Sequence, residues 1–246
     1  MAIRITCKCE ICTQIPRGAH HIHLSRLLAV ALLLAAPLTA QSLAETFMRM
    51  DKTSQQLKTV AADIKRDVHT SIINDDSIDS GTIKLKREKT GDTRMLIDFT
   101  GTDAKTVSLG DATVSVYYPK IKTVQVYDVG TKKQAVEQFL LLGFGASSTA
   151  LKDVYDVTWA GVESINGQQT GHLRLIPKSK DVARQVASAE LWIAENNGLP
   201  VRQKIIFTSG DYWLVTYSDI KFNPPLSDDD LKLKTPKGVQ VQHPRL

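Results

Sequence analysis

From about Ile64 to Ser218 the apolar residues of this chain fall at every second position, in short runs separated by turn residues. That period of two is the spacing of a pleated strand with one buried face, and it constrains the fold more than any other feature. It predicts strands near Ile64–Ile73, Thr82–Arg87, Arg94–Phe99, Thr106–Leu109, Thr113–Tyr118 and Thr123–Val129. After an interlude come Tyr155–Val162, Thr170–Ile176, Ala189–Ile193, Val201–Phe207 and Tyr212–Ser218, about eleven in all. Short links such as Asn166-Gly167, Asn197-Gly198 and Ser209-Gly210 make neighbouring strands antiparallel.

Two segments follow a helical period instead. Leu43, Phe47, Met50, Leu57, Val60, Ala61 and Ile64 recur at three- and four-residue steps, which predicts an opening amphipathic helix. The interlude reads as a second helix over 132–142, opened by a Thr131/Gln134 capping box and stopped by Gly143. A long sheet with one apolar face must close on itself, stack on a second sheet, or be covered. The expected fold class is therefore mainly antiparallel β with helices: an incomplete, strongly curved barrel covered by both helices, with a sandwich as the alternative.

Upstream, Leu27–Ala36 is an apolar run preceded by Arg17, His20, His21, His23 and Arg26, and small residues follow at Ala40, Ser42 and Ala44. The run is short of the roughly 20 residues that span a bilayer, so residues 1–44 read as a signal peptide cut after Ala40 or Ala44. A single domain over 45–246 and a periplasmic location follow as expectations. Without the leader, four basic residues and one acid go, and the formal charge falls from +5 to +2. No basic stripe tracks a phosphate backbone, so no nucleic-acid partner is expected. Cys7, Cys9 and Cys12 all precede the run, and neither a metal site nor a cofactor is expected of the mature chain.

Enzyme chemistry finds little support. No nucleophile-elbow pattern occurs, and His69, His172 and His243 read as isolated surface imidazoles. Gly143-Phe144-Gly145 follows a helix where a phosphate loop would follow a strand, so it reads as a helix stop and hinge. Asp228, Asp229 and Asp230 lack the alternating spacing of a calcium loop and read as a solvated turn.

One charge stands out by parity. Ile83 and Leu85 share a face of their strand, and the same parity turns Arg87 inward while Lys84 and Lys86 face water. Arg87 either snorkels off the strand end beside Glu88, or presents its five donors inside the hollow to lid carbonyls or a lipid ester or carboxylate. The candidate cavity residues are Arg87, Ile83, Leu85, Met95, Ile97, Phe99, Val114 and Val116. The candidate lid comprises Phe139, Leu140, Leu142, Gly143 and Phe144.

Gly81-Thr82-Ile83-Lys84-Leu85-Lys86-Arg87 resembles the strand of LolA-type outer-membrane lipoprotein carriers that ends in Lys-Arg. Tyr117-Tyr118-Pro119 is similar to the family's Tyr-x-Pro, and Leu233 to Val241 to its C-terminal strand with a Pro-x-Gly-Val ending. Glu88 stands where the family has proline. The resemblance implies an incomplete barrel lidded by helices and an acylated lipoprotein or lipid as ligand. It also implies an inner-membrane releasing complex and an outer-membrane acceptor as partners, and a monomeric carrier. An envelope-stress module of the RseB type has the same fold and generally a second domain. This chain's end soon after the Pro-Lys-Gly-Val strand points to the carrier.

Overall fold

The computed structural model describes residues 42–88, 92–130, 136, 137, 139 and 142–244. Residues 1–41, with the predicted cysteine-bearing leader up to its Ala40 site, and most of the helix predicted over 132–142, Leu140 included, lie outside them, while Ser42–Ala44 before the second candidate site open the first helix. Val136, Glu137 and Phe139 of that helix are described and helical.

Helix α1 (Leu43–Gln56) begins with a capping box: Ser42 Oγ accepts from the Glu45 amide at 3.2 Å, and Glu45 Oε2 accepts from the Ser42 amide at 3.3 Å. Its buried face carries Thr46, Phe47, Met50 and Thr53. The helix stops at Gln56 and does not run to Ile64 as the period implies. Strand β1 (Thr59–Thr70) starts three residues later and buries Val60, Ala62 and Ile64 at alternate positions. These residues fit both periods locally. Strand β1 pairs on both sides, with β2 and β11, so its backbone groups are satisfied by ladders a helix would lose.

The remaining strands are β2 (Asp75–Arg87), β3 (Thr93–Thr100), β4 (Lys105–Gly110), β5 (Thr113–Tyr118), β6 (Thr123–Asp128), β7 (Tyr155–Ile165), β8 (Gln168–Pro177), β9 (Val186–Ala194), β10 (Pro200–Phe207), β11 (Tyr212–Phe222) and β12 (Gln240–Gln242). They form one sheet in the order β12-β6-β5-β4-β3-β2-β1-β11-β10-β9-β8-β7. All neighbours are antiparallel except β12 and β6. The outermost strands β12 and β7 do not pair, so the barrel is open. Every strand predicted from alternation is present, and β12 is the additional one.

Among the described residues two further short helices are α2 (Ser148–Val154), capped by Ser147, and α3 (Lys180–Ala183), capped by Ser179. Asp228–Leu231 forms a turn of 3-10 helix.

The sheet is strongly curved, and its concave face is filled. Ile64, Ile83, Leu85, Met95, Phe99, Leu109 and Tyr217 pack with Leu57 and Phe144. Beside them Phe47 and Met50 of α1 and Leu151 of α2 pack on Leu173, Leu175, Leu191 and Ile205. The convex face is crossed by the chain after β11, where Lys86 pairs with Asp228 and Lys84 lies 3.6 Å from Asp230. The acidic triplet is thus a solvated turn held by lysines.

Candidate functional site

Strand pairing carries the inward parity of β2 across its neighbours. Leu85 faces Met95, which faces Leu109, which faces Val114; Ile83 faces Ile97, then Val107, then Val116. The seven apolar cavity candidates therefore share one face. Ile83, Leu85, Met95 and Phe99 are at most 5% exposed, and Ile97 and Val114 pack against them. These residues form a closed core in this structure, where the sequence suggested an open hollow. The space is taken by Phe144.

The segment 142–145 enters the concave face as a plug. Phe144 is buried, and its ring meets that of Tyr217 edge-on, 4.7 Å between centres at 86°. Gly143 and Gly145 on either side have φ of +86° and +66°, a region that L side chains avoid. A Cβ on Gly145 would collide with Leu57 and with the Arg87 guanidinium. Gly143 approaches Leu191 and Pro200 closely. One segment thus touches β2, β9, β10 and β11, which only a curled sheet allows.

Arg87 closes this arrangement. Its Nη2 donates to the Gly145 carbonyl at 2.8 Å and its Nη1 to the Ser54 carbonyl at 2.9 Å. Ser54 lies in the last turn of α1, which contains no basic residue of its own, so Arg87 supplies the cation that free helix carbonyls attract. Burial draws the guanidinium below its ordinary pKa, and Glu137 opposes that shift. Arginine stays charged regardless. Glu88 turns instead to Lys86 and Arg94, at 3.7 and 3.8 Å. A second tie runs from Asp51 of α1, whose carboxylate accepts from the Ser148 amide at 2.6 Å and hydroxyl at 2.8 Å.

Beside the plug lies a cavity of about 490 Å³, walled by Ser54, Arg87, Leu142, Phe144, Leu151 and Tyr155 among others. A second, of about 830 Å³, opens beyond Arg87 between Leu57, Lys86, Arg94 and Pro225. Of the eight cavity candidates, Arg87 alone lines either space. Of the lid candidates, Leu142, Gly143 and Phe144 line the first, while Phe139 sits with its ring 6.3 Å from Trp213.

The sequence reading missed two clusters. Arg66 follows Ile64 by two in the first predicted strand and is as inward by parity as Arg87, but that strand's inner face was not followed past Ile64. It pairs with Asp79 on β2. The other correction concerns the histidines. His172 is 13% exposed, 2.8 Å from Glu163 and 3.5 Å from Glu190, and stacks on Trp192. His69 lies 2.9 Å from Asp76 and stacks on Tyr212. Hairpin pairing brings Asp76 to His69 and Glu163 to His172, and pairing between strands brings the Tyr212 and Trp192 rings to them.

A fold of this kind occurs in known proteins. The crystal structure of MucB superposes with a TM-score of 0.50 at 14% identity, over 80% of this chain and 64% of that one. An uncharacterized conserved protein from Thermus thermophilus gives 0.52 at 13% identity, over 83% of this chain and all of that one. A putative outer membrane lipoprotein-sorting protein domain from Vibrio parahaemolyticus gives 0.43 at 14% identity, over 76% and 94%. The chain thus spans less than two thirds of MucB, and at these identities the likeness is one of fold. No curated protein matches the sequence significantly. The sequence profile of the MucB/RseB N-terminal domain matches residues 72–233, from the first hairpin through the 3-10 turn that follows β11, and the chain belongs to that family.

Proposed function

We propose that this protein is a non-enzymatic envelope carrier, which takes the acyl chain of a lipoprotein or lipid onto its concave face in place of Phe144. The observation that carries this reading is the plug itself. A phenyl ring between two left-handed glycines fills the one-sided apolar face and is tied through the Gly145 carbonyl, which an arginine can hold or release. Each methylene buried is worth about 0.8 kcal/mol, so a chain of about 15 methylenes gains on the order of 12 kcal/mol over water. That exceeds the roughly 3 kcal/mol or more that a buried aromatic ring contributes, so an acyl chain can displace the plug.

The leader, cut after Ala40 or Ala44, would deliver the chain to the periplasm, where the carrier works as a monomer between an inner-membrane releasing complex and an outer-membrane acceptor. Native mass spectrometry of the processed protein taken from the envelope, with extraction of its ligand, tests this. Co-purifying acylated lipoprotein or lipid is the expected result. A chain that carries none, and takes none from donor vesicles, rejects it.

A second reading has a specific observation in its favour. The matching family is named for MucB and RseB, which makes a lipoprotein-binding regulator the alternative use of the same face. Transfer of cargo to acceptor membranes distinguishes the two, since a regulator retains it.

A further inference from the structure

The concave face has a second polar station, at the far end of β2 from Arg87. On β1 the inward positions Val60, Ala62 and Ile64 continue to Arg66, and on β4 Leu109 and Val107 continue to Lys105. Register sets Arg66 opposite Asp79, and Lys105 opposite Phe99. Arg66 Nε donates to Asp79 Oδ2 at 3.1 Å, and Nη2 donates to the same oxygen. This fixes the guanidinium 4.4 Å from the Phe99 ring centre and 5.6 Å from that of Trp213. The Lys105 ammonium lies 5.6 Å from the same Phe99 ring. Among the described residues no hydrogen bond or ion pair holds it.

We propose that Arg66 and Lys105, above the floor of Phe99 and Trp213, bind the anionic headgroup of the amphiphile whose chain occupies the concave face, so that the preferred cargo carries a phosphate or carboxylate. The proposal rests on the chain-binding reading above and names its ligand class. A purely structural ion pair would give each cation its own acid. Asp79 serves Arg66, while among the described residues Lys105 has the more distant charges of Asp79 and of Asp103 on an exposed turn. Half-burial, and then the neighbouring Arg66, hold the Lys105 ammonium below its ordinary pKa. An anion between the two cations relieves both effects, since an opposite charge favours the protonated amine. Asp79 takes the Nε and Nη2 edge of Arg66 and so orients the planar guanidinium, leaving Nη1 to donate to a ligand oxygen.

The spacing suits one ligand. Asp79 and Arg87 are eight residues apart on β2, roughly 26 Å at about 3.3 Å per residue. Between them Ile83 and Leu85, with Ile97 and Val107 alongside, make a continuous apolar track.

Calorimetric titration of the processed full-length protein with three probes tests this: palmitoyl lysophosphatidic acid, monopalmitoylglycerol and inorganic phosphate. The phosphate-bearing lipid is expected to bind at least about tenfold more tightly than the uncharged one, the equivalent of one charge-assisted hydrogen bond. Lys105→Gln should remove most of that preference and leave the monoglyceride unchanged, while Lys105→Arg keeps it. Among the described residues Lys105 has no hydrogen-bond or ion-pair partner to strand, so these variants should fold; a melting curve verifies it. Equal affinity for the two lipids, or an equal loss for both in Lys105→Gln, overturns the headgroup site and leaves the chain-binding reading standing. Inorganic phosphate binding as tightly as the phospholipid also overturns it, in favour of a free-anion site. Failure of both lipids to bind defeats the site and the chain-binding reading together.

Discussion

The Arg87 guanidinium donates to the carbonyl of Gly145, 58 residues further along the chain, and the same group donates to Ser54 in α1. One side chain therefore ties a strand, a helix end and the plug. In Arg87→Leu the apolar pattern of β2 continues and the fold should persist. Each charge-assisted bond is worth about 1.5–3 kcal/mol before solvent screening of this half-exposed group, so the plug should open at least about tenfold more often. Hydrogen exchange at Phe144 and the amides around it is the measurement. Exchange unchanged from the parent would mean that Arg87 does not hold the plug.

Phe144→Ala removes a buried ring and should cost about 3 kcal/mol or more in the unliganded protein. An acyl chain can refill that space. Addition of a lipid should raise the melting temperature of the variant more than that of the parent. An equal shift in both would show that ligand and Phe144 do not compete.

Gly145→Ala places a Cβ against Leu57 and Arg87 at a φ of +66°, so it should weaken the same closed state as Arg87→Leu. Residues that share one contact are not additive. The double variant should be little worse than the poorer single one; full additivity in denaturant melts would place the two residues in separate interactions.

The strap across the convex face should detach in acid. Lys86 holds the carboxylate of Asp228 below its ordinary range, and Lys234 does the same for Asp229. With folded values depressed, the stabilisation is present above the unfolded carboxylate pKa, about 3.9, and is lost as pH falls through the lower folded values. Limited pepsin digestion should therefore cut around 224–239 below about pH 4, and sooner at high salt, because these groups are exposed. Resistance there at low pH and high salt would show that Leu231 packing, not charge, anchors the strap.

The Ser42/Glu45 capping box bears on processing. Cleavage after Ala40 keeps it, while cleavage after Ala44 removes Ser42 and about 1 kcal/mol of helix stability. We expect terminal sequencing of the processed protein to begin at Gln41; a start at Glu45 would show that the peptidase pattern outweighs the cap.

Alternation alone determined that this chain is an antiparallel sheet, which face of β2 is apolar, and that Arg87 turns inward with it. Each is a property of the pleat, repeated every two residues and visible without the rest of the molecule. Where the pattern was locally degenerate, over residues 57–64, it could not separate helix from strand, and pairing on both sides decided for β1. Tertiary structure alone decided what the inward groups meet: Phe144 in the hollow, Gly145 and Ser54 at Arg87, and Lys105 beside Arg66 over one aromatic floor. Those meetings depend on register and on how far the sheet curls, which are set by packing among residues distant in sequence and leave no periodic trace in it.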